Sequence, residues 1–306
     1  MAAEGISRTC FYLLISEAVT GIATSLFIMW AIFMEVSIGV DMRTKDKILL
    51  PLSFSHTVFT VLMLVNVCHK FFLLSLTIYM RSLIAILSSY CIWSGTSLTL
   101  SMCFFHFFKL VQFRSSLLSL VKMKVDILIP WMIVVVVVAS LCGSVLNVLL
   151  SNDIQQGPSF NSSVSPPSNM TGENSLLMIF FQMYLENFDW LLLVIFFTAL
   201  TMASIACHVY RMGKSPSSGN SNVKALKVVK SESSFLLFYI IFSVVMAVIM
   251  AERIYIQHLG ECIYDVFLFA FPTLHCVLII LSNPSLRVVC FVIGQKDTEA
   301  DMQLQH

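Results

Sequence analysis

Ile133-Val-Val-Val-Val-Val-Ala139 decides the fold of this chain. Wound as a helix, five consecutive valines present an apolar surface in every direction. A surface helix of a soluble domain keeps a polar face, and this stretch has none. Nor does it alternate as the strands of a membrane barrel do. The apolar run extends both ways, over 127–150. A helix needs about 20 such residues to cross the hydrocarbon of a bilayer. Only there is a side chain of this kind left unpenalised on every face, while the helix satisfies its own backbone.

Six further segments read the same way: 11–34, 48–72, 83–108, 186–210, 233–256 and 263–290. Segment 48–72 is interrupted by Pro51, His56 and Asn66. The whole composition agrees. Of 306 residues, 58% are hydrophobic and 11% are charged, with a mean hydropathy of +0.88. A soluble globule of this size has no room to hide that much apolar surface, and disorder is excluded by the same numbers. A net charge of +1 gives no basic field for nucleic acid. The fold expected is all-α, a seven-transmembrane helix bundle, by fold-level analogy of the G protein-coupled receptor type. No repeated half is found, which disfavours an inverted-repeat transporter.

Charge placement sets the expected orientation. With the N-terminus outside, inner loops receive Arg43, Lys45, Lys47, Lys109, Arg114, Lys122, Lys124, Arg211, Lys214, Lys224, Lys227, Lys230, Arg287 and Lys296. Outside fall only Arg8, Lys70, Arg81 and Arg253, a positive-inside bias. Two sequons, Asn161-Ser-Ser163 and Asn169-Met-Thr171, lie in the long loop 151–185, which has no Lys or Arg. Residues 1–10 form the expected extracellular N-terminus, 11–290 the helical domain, 211–232 an intracellular loop and 291–306 a cytoplasmic tail. The protein is thus expected in the plasma membrane. Segment 11–34 carries Glu17 and reads as a signal-anchor span, not a cleaved signal peptide. Nine cysteines contain no C-x-x-C and mostly lie in apolar runs. They read as buried free thiols, not as a disulfide scaffold or zinc site.

The last helix carries the most specific motif: His275-Cys-Val-Leu-Ile-Ile-Leu-Ser-Asn283-Pro-Ser-Leu-Arg287. It resembles the seventh helix of vertebrate bitter taste receptors (type 2 taste receptors), which ends in H-S-x-x-L-I-x-x-N-x-K-L-K. Cys276 stands where Ser is usual and Ser285 where Lys is usual. Phe105-His-Phe-Phe-Lys109-Leu-Val-Gln-Phe113 resembles F-Y-x-L-K-I-A-N-F, and Leu120-Val-Lys122-Met-Lys124-Val125 resembles L-x-L-K-x-R-I. Glu17, Gly21 and Phe27 match E-x-x-x-G-x-x-x-N-x-F, with Ser25 for the Asn. Ser204-Ile-Ala-Cys-His208-Val-Tyr-Arg-Met212 resembles S-L-x-x-H-x-x-x-M, and Lys230 with Ser234-Phe-Leu-Leu-Phe-Tyr239 resembles K-x-x-x-S-F-L-x-L-Y. Segment two lacks the family's Arg near its middle, and Trp190 replaces an expected Pro. These departures mark a divergent member. The long loop has no Cys, so the usual bridge from helix three to that loop cannot form.

The resemblance implies a chemosensory receptor, not an enzyme, that binds a small bitter agonist in the outer half of the bundle and signals through a heterotrimeric G protein. Asp265, at the outer start of helix seven, would hold a protonated amine. Ser88, Ser89, Ile92 and Trp93 line the outer half of helix three at helical spacing, with Thr96 one turn on. Glu186 and Asp189, with Glu252 and Glu261, make the outer mouth acidic. Phe242 takes the place of a family aromatic that changes rotamer on activation. Lys109, Lys122, Lys124, His208, Lys227, Lys230 and Arg287 are expected around the G protein cleft and against anionic lipid. Glu17 is expected to make a polar contact toward helix two or seven, with His275 as one candidate partner, and Ser25 to share a hydrogen bond with Asn283. His56, His106, His208 and His275 are read as lying at different depths, too scattered for a metal. No cofactor is implied, and no phosphate loop, H-E-x-x-H or nucleophile elbow occurs. The rival readings are a vomeronasal type 1-like or other chemosensory receptor, and a small membrane transporter.

Overall fold

The computed structural model describes residues 2–72, 77–111, 116–155, 192–204, 206–207, 233–242, 244–245, 248 and 257–290. Its helices in chain order are α1 (Ala2–Ser37), α2 (Thr44–Phe72), α3 (Ile78–Leu110), α4 (Ser116–Gln155), α5 (Leu192–Ser204), α6 (Ser233–Phe242) and α7 (Gln257–Ser282). A short helical run, 284–290, follows Asn283. Five of these helices, α1 to α4 and α7, are long and apolar enough to cross a bilayer. No strand occurs among the described residues.

The outward face of α4 is apolar, and its buried positions include small polar residues. On α4, Trp131 is 68% exposed and Val135 63%, while Ser140 and Ser144 are buried. Ser144 donates back to the Ser140 carbonyl at 2.7 Å, so its hydroxyl is satisfied within the helix. Val134, Val135 and Val138 therefore face outward and the small polar residues face the bundle, which suits lipid as the solvent. Pro51, Pro130 and Pro272 sit inside helices without ending them, as membrane helices tolerate. The second segment, despite its polar residues, is a continuous helix. It is the most enclosed span, 50% buried over its most apolar stretch against 17% for α4. That explains its composition: polar residues of an enclosed helix find partners in neighbouring helices.

The ends have local causes. Thr77 caps α3, its hydroxyl accepting from the Met80 N–H at 3.4 Å. The chain leaves α1 through Gly39, at φ 85°, a left-handed conformation that glycine adopts without strain. Helix α4 reaches Gln155, five residues into the stretch expected as loop.

Helices α1 and α7 run parallel. Cys10 is bonded to Cys262, Gly21 faces Thr273, and Ser25 touches Cys276, so the separation holds at 251–252 residues over four turns. A parallel pair requires an odd number of crossings between them. Helices α6 and α7 run antiparallel, since Phe242 meets Phe271 while Phe235 meets His275. Two apolar clusters stack along the bundle. One holds Cys10, Leu14, Phe59, Met63 and Phe269, at the end where α1 and α7 begin. The other holds Ile28, Ile32, Leu49, Leu52, Tyr239 and Ile279, toward the opposite end. A third, with Ile48, Phe105, Phe108 and Ile129, joins α2, α3 and α4.

Candidate functional site

Between the first two clusters lies a layer of polar side chains. His56 of α2 and His275 of α7 are 5% and 0% exposed. His56 Nε2 and His275 Nδ1 are 3.1 Å apart, and Tyr239 Oη of α6 lies 2.9 Å from His275 Nε2. With both imidazoles neutral, two consistent polarities exist. In one, His56 N–H donates to His275, whose other N–H donates to Tyr239. In the other, Tyr239 O–H donates to His275, whose N–H donates to His56. Either way every facing atom is paired, as burial demands. Phe235, Phe238 and Phe271 pack around the His275 ring. The layer continues into α3: Ser55 Oγ donates to the Cys91 carbonyl at 2.9 Å and lies 2.9 Å from Ser94 Oγ. Helices α2, α3, α6 and α7 are thus tied at one level. The two histidines share that level, which corrects the expectation that they lie at different depths.

Two expected contacts are replaced by others. Ser25 Oγ lies 3.3 Å from Cys276 Sγ, not on Asn283. Asn283 Oδ1 instead accepts from Lys45 Nζ and Ser285 Oγ, both at 2.9 Å. Glu17 does not bond His275. Its carbonyl is 3.5 Å from Thr273 Oγ1, and its buried Oε2 has no hydrogen-bond partner. Two of the departures from the family motifs meet in the folded chain. Ser25 and Cys276 touch each other, and His56, the polar residue in the middle of α2, bonds the neighbour of Cys276. The cysteine expectation is corrected as well, since Cys10 and Cys262 form a disulfide.

Of the expected ligand residues, Asp265, Ser89, Ile92, Trp93 and Phe242 are half-buried. Ser88 Oγ is buried without a hydrogen-bond partner. Ser88, Ser89, Ile92 and Asp265 lie in the half of the bundle that holds Cys10. Phe242 is 4.4 Å from Phe271, ring centre to ring centre, and stacks on Phe238, within the aromatic group around His275. The described cavity sits elsewhere. Thr99, Met102, Cys103, His106, Thr198, Phe235 and Tyr239 line it in the opposite half, and its volume open to water centres is about 10 Å³, room for one water.

At the Lys45 end, Lys109 meets Asp126 at 3.4 Å and Thr44 donates to the same carboxylate at 2.7 Å. Lys122 donates to the Val111 carbonyl at 2.8 Å, and Lys124 and Arg287 are exposed. Glu186, Asp189, Glu252, His208, Lys227, Lys230, Asn161 and Asn169 lie outside the described residues, as does the side chain of Glu261. Sequence reasoning missed Tyr239 as a partner of His275, Lys45 as a partner of Asn283, and Asp126 as a partner of Thr44 and Lys109. The available signal was ionisable and polar residues in apolar spans.

The model of the taste receptor protein (TAS2R) family matches residues 2–296. The chain belongs to that family. It is 24% identical over 287 residues to taste receptor type 2 member 39 of Homo sapiens and to that of Gorilla gorilla gorilla, covering 90% of this chain and 82% of each relative. It is 26% identical over 284 residues to member 39 of Papio hamadryas, with the same coverage. Family membership over nearly the whole chain makes this a chemosensory receptor of the bitter taste, G protein-coupled type, and not an enzyme. It also decides against the vomeronasal and transporter readings. Several apolar helices in such a receptor make it a multi-pass plasma-membrane protein.

Proposed function

We propose that the chain crosses the membrane seven times with its N-terminus outside and binds a small, mostly apolar bitter molecule in the half of the bundle that contains Cys10. The observation that carries this is the family match over residues 2–296. The distribution of Lys and Arg supports the orientation. Asp265 is placed to hold a protonated amine, and Ser88 Oγ, buried and unpartnered, is available to a polar ligand atom. Ser89, Ile92, Trp93 and Phe242 give apolar contact, with Glu186 and Asp189 at the mouth. A ligand that binds the active arrangement more tightly shifts the population toward it. The other end, with Lys109, Lys122, Lys124, His208, Lys230 and Arg287, then receives a heterotrimeric G protein and rests against anionic lipid. Asn161 and Asn169 are glycosylated outside.

A calcium assay in transfected cells with a panel of bitter compounds tests this. A response to some members is expected, and silence across the panel with surface expression confirmed contradicts the reading. Within it, Asp265→Ala should raise the half-maximal concentration of protonated amines about tenfold or more, the value of one lost charge-assisted contact. Neutral agonists should shift much less. Equal shifts for both would remove the counter-ion role.

A further inference from the structure

The mouth of the bundle carries a covalent link that the sequence motifs do not announce. Cys10 lies about two turns into α1 and Cys262 in the second turn of α7, with their Cα atoms 6.3 Å apart. They close a chain separation of 252 residues. It is the one disulfide among the described residues. It lies in line with the parallel register of α1 and α7, so the bond continues a packing that the apolar contacts already set. Three residues beyond Cys262 stands Asp265.

We infer that Cys10–Cys262 is a structural staple, made on the exoplasmic side, that fixes the outer start of α7 and with it the position of Asp265 at the mouth. The side on which it forms rests on the orientation proposed above. The pair forms by exchange with an oxidised dithiol protein of the secretory pathway. A thiolate of this chain attacks that disulfide, giving a mixed disulfide, and the second cysteine displaces the carrier. Two thiol protons and two electrons leave this chain, and the carrier is left as a dithiol. Cytosolic thiol buffers would keep both cysteines reduced.

The surroundings argue for a staple and against a redox switch. Cys10 is 7% exposed and packs among Leu14, Phe59, Met63 and Phe269. The Cys10 sulfur is shielded by that packing, and Cys262 is half-buried. The bond also compensates for an absence. The long loop 151–185 contains no cysteine, so no bridge ties that loop to helix three. The covalent restraint at this mouth lies between the first and last helices instead, leaving α3 and the long loop free of it.

Two measurements test the inference. Full-length receptor from cell membranes is denatured in N-ethylmaleimide without reductant, digested, and analysed by mass spectrometry. The Cys10 and Cys262 peptides should appear joined, two hydrogens lighter than the sum of the free peptides, and should separate only after reduction. Both peptides carrying maleimide without reduction would overturn the inference. The second measurement compares Cys10→Ser, Cys262→Ser and the double variant in the calcium assay, normalised to surface receptor. If the sulfurs act as one bond, all three share one shift in half-maximal concentration, within about twofold. Losses that multiply in the double variant would show two separate roles and overturn the staple. Should the variants fail to reach the surface, the peptide linkage in the unmodified receptor still decides. The linkage is read without any agonist, so its absence is distinguishable from a failure of the bitter-receptor reading.

Discussion

His275→Ala is expected to destabilise the receptor by about 3–5 kcal/mol. The imidazole is fully buried among Phe235, Phe238 and Phe271, so truncation opens a cavity that the packed rings only partly fill. It also leaves His56 Nε2 without its His275 partner and removes one contact of Tyr239 Oη, and an unsatisfied buried group costs about 1–3 kcal/mol. Polar contacts between membrane helices are individually modest, averaging about 0.6 kcal/mol in measured cycles. The effect at His275 is therefore mostly the cavity and the orphaned His56 nitrogen. Two comparisons separate these causes. Tyr239→Phe removes one hydroxyl and no volume beyond it, and should cost about 1 kcal/mol. His56→Ala combined with His275→Ala should cost less than the sum of the single changes, by about 1–2 kcal/mol, because the second change orphans fewer groups. Thermal unfolding of detergent-solubilised receptor, read by ligand-independent fluorescence, reports all four. Additive losses would show that the two rings do not act as a pair.

Gly21→Val is the second large effect expected, about 1–3 kcal/mol of overpacking. A Cβ at Gly21 would lie 2.6 Å from Thr273 Oγ1, well inside contact distance. That hydroxyl is not free to swing away at no cost, since it faces the carbonyls of Phe269 and Glu17 at 3.3 and 3.5 Å. Gly21 thus sets how closely α1 and α7 approach, in the way small residues do at membrane helix interfaces. Gly21→Ala should be milder, and Gly21→Ala with Thr273→Ala should recover most of the loss, because the clashing oxygen is gone. The same thermal measurement decides. A double variant no better than Gly21→Ala alone would mean that the α1–α7 distance is set elsewhere.

The reach of the sequence can be judged residue by residue. The valine run at 134–138 told its own story, since a helix with no polar face has one solvent in which to sit, and α4 exposes Val134, Val135 and Val138. Helix existence was equally legible for α1, α2, α3 and α7. What periodicity leaves open is rotation and relative height, and each missed contact is of that kind. Ser25 was assigned to Asn283, seven residues beyond its actual neighbour Cys276. Seven residues are about two turns, or about 10 Å along the axis, beyond the reach of a serine. Glu17 was given a contact toward helix two or seven, with His275 as one candidate, for the same lack of register. The α1–α7 offset instead puts it level with Phe269, about 9 Å along α7 from that ring.

The histidine pair shows the same limit from the other side. His56 and His275 are 219 residues apart in sequence, and nothing local marks them as partners. Yet each is an ionisable residue in an apolar span, and such residues need a polar neighbour. That rule, applied to both, would have proposed the pair. Ser25 and Cys276 stand where the motifs have Asn and Ser, and they touch each other in the folded chain, beside the His56–His275 pair.

The parallel run of α1 and α7 underlies the entire arrangement, because it requires the two ends of the bundle to be reached by an odd number of crossings. Epitope tags at both termini, probed by antibody on intact and then permeabilised cells, test it directly. The tag before Met1 should be reached on intact cells, and the tag after His306 only once the membrane is opened. Both tags on the same side would contradict the account.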